Sequence, residues 1–140
     1  GSSLGRVAVK KMWITELGKI WTGVTIRHPA MLEATDRFME QYRWRGPMEL
    51  ECMVDGDTVY LVEINPRFPA WSYLATGVGV NLPARMVRRA LALPEVDQDA
   101  TDYPAGKLFV RYTYEMVTEM DRFQQLITTG ERGDTHEDIL

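Results

Sequence analysis

The chain has 140 residues and a formal net charge of −4, with 45% hydrophobic and 26% charged residues. That balance suits one globular domain, or part of a larger one. An acidic chain without a Lys/Arg run is a poor match to a phosphate backbone, so nucleic acid is not an expected partner. No apolar run approaches the roughly 18 residues of a membrane span, and no signal peptide is evident.

Cys52 is the sole cysteine, which excludes an internal disulfide and favours a reducing, cytoplasmic setting. With no neighbouring histidine, it reads as a buried strand residue rather than a nucleophile. Gly1-Ser2-Ser3 has the look of a vector remnant, and residues 1–6 are set aside as such or as a frayed start.

Val7 to Ile14 reads as a strand rich in β-formers. Thr15 to Lys19 reads as a turn, with Gly18 free to take positive φ. Ile20 to Arg27 is the partner strand. Lys10 and Lys11 are expected on a solvated face of the first strand, with a place beside a bound ligand as the alternative.

Pro29 can open a helix at its first turn. Met31, Ala34, Phe38 and Tyr42 follow at helical spacing and predict its apolar stripe, with Gly46-Pro47 ending it. Met48 to Val54 then alternates: Met48, Leu50, Cys52 and Val54 on one face, Glu49, Glu51 and Met53 on the other. Asp55-Gly56-Asp57 is a hairpin turn signal. Thr58 to Asn65 is the return strand, and Pro66 stops it.

Asn81 is a good N-cap for a second helix, with Pro83 in its first turn. Met86, Val87, Ala90 and Leu91 predict its apolar stripe. Arg85, Arg88 and Arg89 are expected on its solvated face, with an anion site as the alternative. Lys107 to Val117 reads as a late strand, and Thr128 to Leu140 as a frayed polar tail. Residues 7–117 form the expected domain, and 118–140 an extension ending in a flexible tail. Two hairpins separated by a helix, then a helix and a strand, predict an α+β fold. Its antiparallel sheet carries helices packed on one face.

The segment that carries chemistry runs from Gly46 to Phe68. Glu63 and Asn65 sit two apart on a strand, so their side chains project from one face. An acid beside an amide oxygen makes a hard-oxygen site suited to Mg²⁺. Glu51 joins them only under a register condition. With a two-residue Asp55-Gly56 loop it pairs with Tyr60, on the face opposite Glu63. A bulge, or a loop of three or five residues, brings it to the face of Glu63 and Asn65. The metal reading therefore requires such an irregularity. The alternative is a merely polar strand face. Close carboxylates without a basic partner repel, however, and a divalent ion removes that cost. The two histidines, His28 and His136, have no evident partner in the sequence.

Gly46-Pro47, then Glu51, then Glu63-Ile64-Asn65-Pro66-Arg67-Phe68 resembles the ATP-grasp superfamily. The resemblance is to its carbamoyl-phosphate-synthase-like branch and the amino-acid ligases related to it. Gly77 to Pro83 is also similar to the family's stretch after that strand. The similarity spans roughly residues 7 to 93, extending toward 115.

The resemblance implies that Glu51, Glu63 and Asn65 hold the Mg²⁺ ions bridging the ATP phosphates, with Mn²⁺ as a substitute. It implies that Arg67 contacts phosphate or the reacting acyl group. It places Met53 and Val62 in the adenine pocket, although core packing explains those two equally well. Glu49 has no settled role in the family.

The family's glycine-rich loop, phosphate lysine and adenine hinge lie upstream of this segment, and nothing before Val7 matches them. The resemblance thus implies the C-terminal part of an ATP-grasp fold, inactive alone, whose partner is the N-terminal half of the same enzyme. The expected activity is an ATP-dependent carboxylate–amine ligase acting on a carboxylate substrate and an amine-type nucleophile. One alternative is a non-catalytic ATP-grasp-like binding or regulatory domain. A third reading is an interaction module with an acidic sheet face and a well-packed start at Val7. The ligase reading instead expects an exposed apolar face there, favouring self-association as a homodimer.

Overall fold

A computed structural model describes residues 3–94, 102–115 and 117–130. The elements run β1 (Ala8–Ile14), β2 (Ile20–Ile26), α1 (Pro29–Tyr42), β3 (Glu49–Asp55), β4 (Thr58–Asn65), α2 (Tyr73–Gly77), α3 (Leu82–Ala90), β5 (Leu108–Val110) and α4 (Met120–Thr129). The class is mixed α+β with antiparallel pairing throughout. The strands form two sheets rather than one: β1-β2-β5 and the separate hairpin β3-β4. On the three-stranded sheet α2 packs through Leu74, which is buried with Val7, Val9 and Phe109 alongside, whereas α1, α3 and α4 contain no fully buried residue. Among the described residues, no helix is long and apolar enough to cross a membrane.

The turn between β1 and β2 forms as its residues dictate. The Thr15 amide donates to the Lys19 carbonyl and the Gly18 amide to the Thr15 carbonyl, both at 2.8 Å. Gly18 takes φ +77°, which costs glycine little.

α1 begins on His28, whose Nδ1 accepts from the Met31 amide at 3.4 Å. His28 therefore has a partner that the sequence reading did not find. The helix ends on Arg43 in a left-handed conformation, ahead of the expected Gly46-Pro47. Of the predicted stripe, Met31, Ala34 and Phe38 are half-buried, and Tyr42 is not. Met31, Leu32, Thr35 and Met39 face a shared cavity, whereas Tyr42 is 62% exposed. Tyr42 stacks instead on Phe38, ring centroids 4.8 Å apart.

α3 is capped as predicted, Asn81 Oδ1 accepting from the Ala84 amide at 3.0 Å. Its expected apolar stripe stays exposed at Met86, Val87 and Leu91.

The late strand is only three residues long, against the predicted Lys107 to Val117. It pairs with Thr22–Val24 of β2; the Arg111 amide adds one bond to the Trp21 carbonyl at 3.2 Å, and among the described residues the strand ends at Val110. The predicted frayed tail is helical at Thr128 and Thr129, with Gly130 as the C-cap; residues 131–140, His136 among them, lie outside the described residues.

The core sits where the segment after the hairpin folds back on the three-stranded sheet. Leu74, Val78, Val80 and Tyr103 form it, with Val7, Val9 and Phe109 packed alongside. Tyr103 is 1% exposed. Its hydroxyl accepts from the Ala8 amide at 3.0 Å and donates to the Ile26 carbonyl at 2.8 Å, so one phenol ties the outer ends of β1 and β2. Thr25 secures the same segment, donating through Oγ1 to the Pro104 carbonyl at 2.8 Å and accepting from the Lys107 amide at 2.9 Å.

Val7 is thus packed, not the exposed apolar face expected there. The exposed apolar residues of β1 are at its other end, at Met12, Trp13 and Ile14.

Gly23 lies mid-strand between Lys11 and Phe109. A Cβ there would come within 2.8 Å of Ile20 Cδ1 and Val9 Cγ1 and 2.9 Å of Phe109 Cε1. Contacts that short on several sides force side chains off their rotamers. Gly23→Ala is expected to destabilise the protein by about 1–3 kcal/mol, read from the urea midpoint; an unchanged midpoint would contradict this packing.

Candidate nucleotide and metal site

The hairpin β3-β4 positions the candidate residues, and its register decides which face each occupies. Asp55 pairs with Thr58, so the turn is the two-residue Gly56-Asp57. From there the ladder runs through Val54↔Val59, Met53↔Tyr60 and Cys52↔Leu61, and then shifts. Above the shift the pairs are Glu51↔Glu63, Leu50↔Ile64 and Glu49↔Asn65. Val62 is the extra residue, a bulge on β4.

Without it, the same turn would set Glu63 opposite Leu50, on the wrong face. With it, Glu49, Glu51, Glu63 and Asn65 share one face. The irregularity that the metal reading required is present, as a bulge rather than a longer loop.

Around this face the side chains are linked. Trp71 Nε1 donates to Glu49 Oε1 at 2.5 Å, and Asn65 Nδ2 donates to Glu49 Oε2 at 3.4 Å. With its amide nitrogen given to Glu49, Asn65 is left with Oδ1 as acceptor. Arg67 Nη2 donates to that oxygen at 3.4 Å, while Arg67 Nη1 donates to the Phe68 carbonyl at 3.3 Å. Glu49, unassigned by sequence, is therefore what fixes the Asn65 amide. Trp71 six residues past Asn65 was the signal, but only the chain's return after Pro66 brings it to Glu49.

Lys11 was also missed. It is exposed, as expected, but its Nζ lies 2.5 Å from Glu51 Oε2.

A cavity of about 1380 Å³ opens between β1, α1 and the hairpin. Its wall includes Lys11, Glu51, Met53 and Val62, so the two residues proposed for adenine contact do line one space. Glu63, Asn65 and Arg67 lie outside that wall. The hairpin is otherwise open, with Met53 68% and Val62 62% exposed.

Among the described residues, no three His, Cys, Asp or Glu side chains converge as a metal cluster. The candidate set differs in kind, being two carboxylates and one amide oxygen. That is hard-oxygen chemistry, and it fits Mg²⁺.

A family model described as ATP-grasp in the biosynthetic pathway with Ter operon matches residues 14–115, more than half of the chain. The chain belongs to the ATP-grasp family. No curated protein matches it. The ATP-grasp match contains the hairpin, the bulge and all four of Glu51, Glu63, Asn65 and Arg67.

Cys52 is half-buried rather than buried, and its thiol lies 3.9 Å from the Leu50 carbonyl. Burial pushes the thiol pKa up. A raised folded-state value means the unfolded chain loses its proton first. The associated stability is complete below the ordinary thiol range and declines as pH rises through the raised value. Alkylation of Cys52 is expected to be slower than that of a free thiol at pH 8–9 and to accelerate on unfolding. Equal rates in folded and denatured protein would contradict its placement.

Proposed function

We propose that this protein supplies the Mg²⁺–ATP end of an ATP-dependent ligase that activates a carboxylate as an acyl phosphate. Family membership points to ATP-dependent ligase-type chemistry. The observation that supports the finer reading is the Val62 bulge, which sets Glu51 directly opposite Glu63 with Asn65 beside it. Like charges directly opposite on a ladder cost stability; Lys11 offsets part of that cost at Glu51, and a divalent ion held by both carboxylates would offset more.

In this reading Glu51, Glu63 and Asn65 hold Mg²⁺. The ion, when bound, draws charge from the ATP phosphates. The substrate carboxylate attacks the γ-phosphorus, forming a new P–O bond as the bond to ADP breaks. An amine then attacks the acyl carbon and expels phosphate, losing a proton to solvent. Such transfer asks the protein mainly to position reactants and to neutralise charge.

Arg67 suits that second task. Its planar fork of donors matches phosphate and carboxylate geometry. Its contacts to Asn65 and Phe68 hold it beside the candidate ligands. Met53 and Val62 would take the apolar base along the cavity wall. The open hairpin needs a second surface to exclude water, which the N-terminal half of an ATP-grasp enzyme would supply.

Glu63→Gln keeps the shape of the side chain and removes its charge. In the complete enzyme it is expected to abolish ADP formation while circular dichroism stays unchanged. Normal turnover by that variant would sink the assignment.

A further inference from the structure

One cation reaches the carboxylate pair from outside the segment that the family model covers. Lys11 is on β1, and the match begins at Ile14. Its Nζ is 2.5 Å from Glu51 Oε2, and both residues line the same cavity. Glu51 in turn stands directly across the ladder from Glu63. Lys11 therefore neutralises one member of a repelling pair.

The contact is suited to exchange. An ammonium is a compact, well-hydrated charge on a flexible stem. The two side chains retain 34% and 27% of their exposure, so the pair is worth at most about 1 kcal/mol. A lysine in such a contact can leave at little cost when a stronger cation arrives.

Resting on the reading that Glu51, Glu63 and Asn65 hold a divalent ion, we propose that Lys11 is a latch competing with that ion for Glu51. Without the ion, the ammonium neutralises the Glu51 carboxylate. When the ion takes Glu51 and Glu63, it repels the ammonium, which leaves Glu51. The step exchanges one cation for another, with no covalent change. It makes the charge of Lys11 available to the cavity only after the ion is in place. Lys10 is the internal control: it has the same charge and also borders the cavity, but it is Lys11 whose Nζ meets Glu51.

The test is Mn²⁺ affinity, followed by the paramagnetic resonance of the free ion at physiological salt. It compares wild type, Lys11→Met, Lys10→Met, Lys11→Arg and Glu63→Gln, all checked for folding by circular dichroism. Lys11→Met is expected to tighten the Kd about two- to fivefold, the range that an exposed ion pair converts to. Lys10→Met should change it less, and Lys11→Arg should return the wild-type value. In parallel, saturating Mg²⁺ should speed acetylation of Lys11, but not of Lys10, as read by mass spectrometry. The latch is overturned, with the ion site intact, if Glu63→Gln loses Mn²⁺ while Lys11→Met matches wild type or Lys10→Met. It is overturned likewise if Lys11 labelling ignores Mg²⁺. Equal Mn²⁺ binding by wild type and Glu63→Gln would remove the ion site, and the latch with it.

Discussion

Val62 is one residue more than the β3-β4 ladder can pair, and the hairpin's response to it governs everything proposed for this protein. A period-2 strand offers no graded adjustment: a shift of one residue moves every side chain to the other face. Starting from the Gly56-Asp57 turn, regular pairing would carry Glu63 to the face of Leu50. The bulge absorbs Val62, restores Glu63 to the face of Glu51 and brings Asn65 opposite Glu49. Bulges recur next to active sites because they re-aim side chains in this way. Here the re-aimed group is an acid, and its new neighbour is another acid.

The surrounding chain supports that face from two sides. Trp71, from the segment that follows β4, fixes Glu49 and through it the Asn65 amide. Lys11, from the other sheet, offsets part of the charge on Glu51. The core lies elsewhere, around Tyr103 and Val80, and the hairpin contributes little to it. In the proposed reading, a partner surface would close over the lightly covered hairpin and the cavity beside it. The exposed apolar residues of β4, Tyr60, Leu61 and Val62 among them, are the groups such a surface would bury.

Much of this was legible in the sequence because its signals are local. The β1-β2 turn, both hairpin strands, the Asn81 cap and the alternation of Glu63 with Asn65 follow from spacing and turn chemistry. What was not legible depends on partners distant in the chain. Parity shows that Glu51 and Glu63 need an irregularity to meet, but not that Val62 supplies it, since a bulge is a property of two strands together. The late strand was overestimated for the same reason. Tyr112 and Tyr114 are good β-formers, yet a strand needs a partner's amides and carbonyls. The α1 stripe holds at Met31, Ala34 and Phe38 but not at Tyr42, because apolar residues occur on two adjoining sides and Leu32 and Met39 take the cavity wall. Lys11 and Glu51 are forty residues apart, a pairing no local pattern encodes.

Binding of a divalent ion to the acidic face is tested most directly by amide NMR during a Mn²⁺ titration, with and without ATP. Selective broadening of residues 49–53 and 61–67, with the amides around Tyr103 unaffected, is the predicted result. Uniform broadening, or none at these positions under either condition, would mean that the bulge aligns two carboxylates for no ion and that the hairpin is a polar surface.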